Sequence, residues 1–339
     1  MRSLKWISAI SLALLLSAVL LAGFVFTPWG TQLALKGADA WLDELSIDYK
    51  SGGLGSELLL NQVQWQQANL QATSQDIQLN INWSCTWSMN VCINTLKTGA
   101  IDVQLSVQTE ESAPASSTTP LTLPFNLKVD SLKLGPLNVF IKDQLKLSWQ
   151  SVSSRFTFAQ SLDVASLEVV SLQVDLLANE AVTKPTEPFD WRTWQYQGIE
   201  QLPISLPLAF DLTEVNIAPF KLSANGQQTL LLSSIGLSAG ADGKNLSLRQ
   251  LKIRHQLAEV SASAEVGLGG SLQHQLNVKA QYFEPQGGEV NLVLSSKGNL
   301  QQLETQAHIS GLIQADIGIE ADLVSNALPV DITVSIPPR

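Results

Sequence analysis

The chain has 339 residues, of which 45% are apolar and only 15% charged, and its net charge is −10. That balance excludes a disordered chain. It also excludes a nucleic-acid binder, which needs a dense cationic surface to displace phosphate counterions, and broad electrostatic adhesion to anionic headgroups.

Arg2 and Lys5 precede a stretch from Ile7 to Phe26 that carries no charge. At 1.5 Å per residue, a helix of that length spans about 30 Å, the thickness of a bilayer's hydrocarbon core. Trp6 and Trp29 flank it, where indole rings favour the interface. A cleaved signal peptide is the competing reading, but there is no convincing Ala-x-Ala site and the apolar stretch exceeds an h-region. No Cys follows Leu21-Ala22-Gly23, so it is not a lipoprotein signal. Residues 1–30 are therefore expected to be a cytoplasmic stub and a single-pass inner-membrane anchor. The body would be exported to the periplasm of a Gram-negative cell.

A first β segment is expected over 31–109. It opens with a helix from Thr31 to Leu45, capped by Thr31, with Leu33, Ala40, Trp41 and Leu45 as a ragged apolar face. Ser51-Gly52-Gly53-Leu54-Gly55 reads as a hairpin turn, because no Gly-Lys-Ser/Thr follows to make a phosphate loop. Cys85 and Cys92 follow. In an oxidising compartment they read as a local disulfide. Zinc would need four ligands and no His lies nearby. Two buried free thiols are the alternative.

Period-two alternation runs through Ile77–Ile81, Ile101–Val107, Phe125–Val129, Leu145–Trp149 and Leu172–Leu176. It returns at Leu251–Ile253, Val260–Val266, Leu276–Ala280, Ile317–Leu323 and Val330–Ile336. Alternation gives each strand one apolar and one polar face. Parallel strands covered by helices would be apolar throughout, so a mostly antiparallel sheet with one wet face is expected.

Residues 110–120, rich in Ser, Thr and Pro, read as a flexible loop. Residues 121–200 form a first β repeat, ending in an interruption from Ala181 to Gln201 that contains Trp191 and Trp194 and reads as a short helix or lid. Residues 201–339 carry a second repeat and continue it. Leu123-Pro124 and Pro136-Leu137 bracket Leu127, Val129, Leu132 and Leu134; Leu206-Pro207 and Pro219-Phe220 bracket Phe210, Leu212, Val215 and Ile217. Both sets align, which points to stacked β units. The apolar face must be hidden, either in a two-sheet sandwich or inside a curled trough that accepts acyl chains. For a trough, those eight apolar residues are the candidate lining.

No hydrolase, metalloprotease or nucleotide-binding motif appears. His255, His274 and His308 are scattered, each on a polar position of an alternating strand. Neither Asp43/Glu44 nor Asp211/Glu214 lies in a recognisable pocket. No catalytic, cofactor-binding or metal-binding residue is expected.

One resemblance draws these pieces together. The anchor is followed by Thr27-Pro28-Trp29-Gly30, the Leu33 to Leu42 helix, Ser51-Gly52-Gly53 and the Leu58 to Trp65 strand. Then come Leu79-Asn80-Ile81-Asn82-Trp83-Ser84-Cys85-Thr86-Trp87, Cys92-Ile93-Asn94-Thr95-Leu96 and Ile101-Asp102-Val103. Leu206 to Leu212, Leu222 to Gly226 and Ala327 to Ile332 complete the order. It resembles the N-terminal part of the TamB family, in the AsmA-like superfamily. The resemblance implies an elongated antiparallel β-taco, a curled repeated sheet with an apolar groove. It also implies movement of phospholipids from inner to outer membrane. A role in assembling outer-membrane proteins and autotransporters follows, with TamA, an Omp85-type barrel, as partner. Family members are several times longer and meet that partner through C-terminal sequence. This chain stops within the strand pattern, so the contact is expected to be missing here.

Overall fold

Helix α1 (Pro28–Trp41) is set at its start by Thr27, whose Oγ1 accepts from the Gly30 N–H at 3.1 Å, and by Pro28 in the first turn. Thr27 is therefore the cap, and not Thr31 as the sequence predicts. Thr31 is fully buried instead; its hydroxyl donates to the Val25 carbonyl (2.7 Å) and accepts from the Leu54 N–H (2.9 Å). A hydroxyl three residues from a helix start can serve either purpose, and only the tertiary partner decides.

The computed structural model describes residue 16 and residues 23–88, 90–106, 125–142, 144–177, 196–199, 204, 206 and 208–337. The expected span Ile7–Phe26 lies largely outside these, the 110–120 loop wholly outside, and the Trp191/Trp194 interruption largely so. Among the described residues no helix is long and apolar enough to cross a membrane.

The rest is almost entirely β, and the chain divides into two compact units. The first unit holds α1 and seven strands: β1 (Leu45–Gly52), β2 (Glu57–Gln67), β3 (Leu70–Ile81), β4 (Asn90–Thr98), β5 (Ile101–Leu105), β6 (Asn126–Leu134) and β7 (Leu137–Ile141). Strands β1, β2 and β3 form an antiparallel meander. The β1–β2 link is the expected glycine turn, with Gly52 at φ +92°, a conformation that costs glycine least. Next to β3, β4 and β5 lie end to end, broken at Gly99. β6 and β7 run parallel to them, broken at Gly135. A Cβ on Gly135 would sit 2.5 Å from the Gly99 carbonyl oxygen, so the two breaks must stay free of side chains.

β9 (Ser151–Phe158) divides between the units. The second unit holds β8 (Leu145–Trp149), β10 (Ser161–Leu176), β11 (Ala209–Ala224), β12 (Gln227–Leu232), β13 (Ser234–Ala241) and β14 (Asn245–His255). It continues through β15 (Ala258–Gly267), β16 (His274–Phe283), β17 (Glu289–Gly298), β18 (Leu303–Gly311), β19 (Ala315–Ala321) and β20 (Val330–Ser335). From β13 onward each strand pairs antiparallel with the next.

The sheets are mixed, with most pairings antiparallel as expected and a few parallel. β4–β6, β5–β7 and β10–β11 are parallel. A parallel return needs a crossover of a dozen or more residues. The stretches that supply it, 106–125 and 177–208, contain the two interruptions read from the sequence. The sequence repeat also has a structural counterpart. β6 and β11 start at equivalent positions of the two copies, and each pairs parallel with an earlier strand, β6 with β4 and β11 with β10.

Candidate functional site

The strand register sorts the second unit's residues into rows. One row runs Leu167, Val215, Leu237, Leu251, Ala262, Val278, Leu294, Ala307, Ile317 and Val334. The neighbouring row starts Val169, Ile217, Ile235, Ile253 and continues apolar to Ala315. With strands about 4.8 Å apart, each row is an unbroken apolar band about 40 Å long. The opposite face carries Asp211, Ser247, Glu265, Lys297, Glu304 and Glu320 in one row. Most of the apolar band is half-buried, and in β20 it is exposed. Among the described residues no second layer closes it to the extent that a sandwich core is closed.

One cavity of about 1760 Å³ lies at a single end of these strands. It is bordered by the ends of β10, β11 and β13 to β20. Strands at opposite ends of the pairing order thus share one opening, so the sheet of this unit bends around it. Among the described residues its rim is acidic: Asp163, Asp211, Asp242, Glu265, Glu304, Glu320, Asp322 and Asp331 stand with two cations, Arg249 and Lys297. The Asp242 carboxyl is held below its usual range by the Lys244 and Asn245 N–H groups of its turn. Two described residues of the preceding segment bond to this end. Ile199 N–H donates to the Leu323 carbonyl at 2.8 Å and Ile204 N–H to the Leu268 carbonyl at 2.9 Å.

Arg249 is the rim residue with most work to do. Register shifts fall side by side in three ladders, at Leu212/Val215 between β11 and β13, at Ser238/Ala239 between β13 and β14, and at Leu248/Leu251 between β14 and β15, the extra residues lying in β11 and β14. A bulge leaves ladder carbonyls unpaired. Arg249 Nη2 donates to the Leu212 (2.8 Å) and Ala239 (3.1 Å) carbonyls and pairs with Asp211, while Nε donates to Ser238 Oγ (2.9 Å). Arg249→Ala is expected to lower the urea midpoint by the equivalent of about 1–2 kcal/mol, the smaller end reflecting the half-exposed guanidinium. Arg249→Lys should recover little of it, because a point charge cannot reach all four acceptors.

Phe210, Leu212, Val215 and Ile217 share one face of β11, and Phe210 also borders the cavity. In the first unit Leu132 continues the row of Leu79 and Leu96, and Val129 that of Ile81 and Ile93; Leu127 pairs with Val91 and Leu134 with Thr98. The eight candidates differ in access. Val129 is 2% and Val215 7% exposed, whereas the other six are half-buried. Sequence reasoning did not find the acidic rim. Its members are single residues at strand ends, and only the register brings them together.

Two histidines depart from expectation. His255 and His274 lie on the apolar face, in register with Ala258 and with Val266. Both stand at strand ends, where turn and neighbouring groups meet their ring nitrogens: His255 accepts from the Leu257 N–H (3.2 Å), and His274 Nε2 lies 3.1 Å from Ser296 Oγ. His308 is on the polar face beside Asp316, at 2.6 Å.

Cys85 and Cys92 are joined in a disulfide across the corner between the 3₁₀ turn Trp83–Ser88 and β4. Closing so short a loop stabilises by about 2.5 kcal/mol on the chain-entropy account. Thiol labelling of unfolded, unreduced protein should find no free Cys, and reduction should lower stability by about that amount.

The family described as TamB, N-terminal domain, matches residues 16–337. The chain belongs to the TamB N-terminal domain family. A similar relative is the "Translocation and assembly module subunit TamB" of Haemophilus influenzae, 22% identical over 361 residues, covering 96% of this chain. The chain spans 27% of that TamB protein's length. No solved structure matches it.

Proposed function

We propose that this chain is the membrane-proximal part of a TamB-like lipid conduit. The segment Ile7 to Phe26 holds it in the inner membrane and the β units stand in the periplasm. Phospholipid acyl chains travel along the apolar band, within a β-taco whose polar face meets water. In the complete module the same path serves outer-membrane protein and autotransporter assembly, with a TamA-type barrel met through sequence outside this chain. The chain acts as a carrier and not as an enzyme.

The observation that carries this reading is the continuous, half-open apolar band across the second unit. Each buried CH₂ of an acyl chain is worth about 0.8 kcal/mol, so a bare apolar surface holds a lipid without a headgroup pocket. An uninterrupted band also offers nearly equal sites side by side, so a lipid moves along it without a deep well. Family membership supports the same reading.

The test places a photoreactive residue at Leu294, mid-band, and at Ser295, next in sequence on the other face. In the membrane-inserted chain, Leu294 should crosslink to phospholipid and Ser295 should not. Equal labelling at both, or none at Leu294 in folded protein, would leave a structural, docking β protein as the better description.

A further inference from the structure

Helix α1 leaves its largest apolar side chains in the open, while the smaller face of Thr31, Leu35 and Ala38 is buried or half-buried. A surface helix of a water-soluble domain turns its apolar stripe to the core. Here the two buried residues are Gly30 and Thr31, and the polar Asp39 reaches the sheet, accepting from the Ile47 N–H of β1 at 3.1 Å. Trp29, Leu33 and Trp41, which helical spacing spreads over about a third of the helix circumference, are 81%, 68% and 91% exposed. Gly37 and Ala40 lie between them, also exposed. The two indoles stand about 18 Å apart along the helix axis.

We infer that α1 lies flat on the bilayer surface, with Trp29, Leu33 and Trp41 sunk to the boundary between headgroups and acyl chains. This rests on the reading of Ile7 to Phe26 as the anchor, and three observations favour lipid as the occupant. The exposed stripe begins three residues after Phe26, so it starts where that apolar stretch ends. The junction is fixed: the carbonyls of Phe24, Val25 and Phe26 accept from Thr27 Oγ1 (2.6 Å), Thr31 Oγ1 (2.7 Å) and the Gly55 N–H (3.1 Å). Wherever residues 24–26 lie, α1 must lie beside them. Finally, tryptophan is the side chain that settles at the membrane interface, and exposed Lys36 at the stripe's edge has a stem long enough to reach the headgroups. Such a helix would hold the first unit in one orientation at the membrane, which a single span free to rotate does not do.

The experiment uses the full chain in phosphatidylcholine vesicles with the Cys85–Cys92 disulfide intact. Single cysteines at Leu33→Cys, Trp41→Cys and, as an aqueous control, Lys252→Cys carry an environment-sensitive fluorophore. The labels at 33 and 41 should be blue-shifted and lose most of their emission to lipids bearing a shallow nitroxide. They should resist iodide in solution, while the label at 252 does the opposite. If the vesicles float with the chain but the labels at 33 and 41 remain open to iodide, the inference is overturned and the anchor stands. Shielding from iodide without lipid quenching would mean a second protein copy covers the stripe, which also overturns it. A chain that does not float at all refutes the anchor and, with it, this inference.

Discussion

Val129→Asp should abolish folding of the first unit. Val129 is the most buried large apolar side chain of the described residues, and Ile93 and Ile81 flank it across β4 and β3. The residues in its cross-strand row, Ile93 and Ile81, offer no polar group to a carboxylate. The carboxyl must either ionise unpaired or enter protonated without a partner, and either costs about 3–5 kcal/mol. Against a domain stability of about 5–15 kcal/mol that is a large share. Circular dichroism and limited proteolysis should report loss of the unit, whereas Leu127→Asp, half-buried two residues away, should leave it folded. The contrast separates core from lining within a single strand. A folded, protease-resistant Val129→Asp variant would show that this face opens to water or lipid throughout.

Gly30→Ala should break the joint between α1 and the residues before it. A Cβ at Gly30 would lie 1.9 Å from the Phe24 carbonyl oxygen and 2.9 Å from the Val25 Cα, both backbone, so the segments must part. Parting loses the Thr31–Val25 and Thr31–Leu54 bonds, together about 2 kcal/mol net. The better helix propensity of Ala, about 1 kcal/mol, offsets only some of the combined loss and clash. Hydrogen exchange at the Leu54 and Gly55 amides should accelerate about tenfold or more. Gly37→Ala is the control. Nothing lies within 4 Å of a Cβ there, so the same substitution should slow helix opening. Unchanged exchange in Gly30→Ala would mean that the joint is not closed in solution.

The strands that the sequence revealed are those whose two faces differ cleanly. His274 to Phe283 sets Leu276, Val278 and Ala280 against Gln275, Asn277 and Lys279, and the ladder is unbroken on both sides. β13 escaped because its faces differ little: Ser234 to Ala241 offers Gly236, Ser238 and Gly240 against Ile235, Leu237 and two alanines. β14 was legible only from Leu251 to Ile253, because the bulge at Arg249 shifts the phase of everything before it. The parallel pairings were hidden for another reason. Alternation fixes which face a residue takes, but it says nothing of strand direction, which depends on the path of the connections. Of the candidate lining, the face was legible and the depth was not. Val129 and Leu127 look equivalent in sequence, and only the cross-strand neighbours make one inaccessible.

β20 pairs with β19 along one edge, and its other edge has no strand partner among the described residues. Its side chains Val330, Ile332 and Val334 are exposed as well. Such an edge offers unpaired backbone donors and acceptors alongside apolar side chains, the combination that templates another strand. Preparations of this chain should therefore behave according to how concentrated they are. Dilute samples should stay monodisperse, and concentrated ones should thicken into edge-to-edge assemblies. Replacing Ile332 with Lys should keep those solutions clear without touching the band formed by β10 to β19.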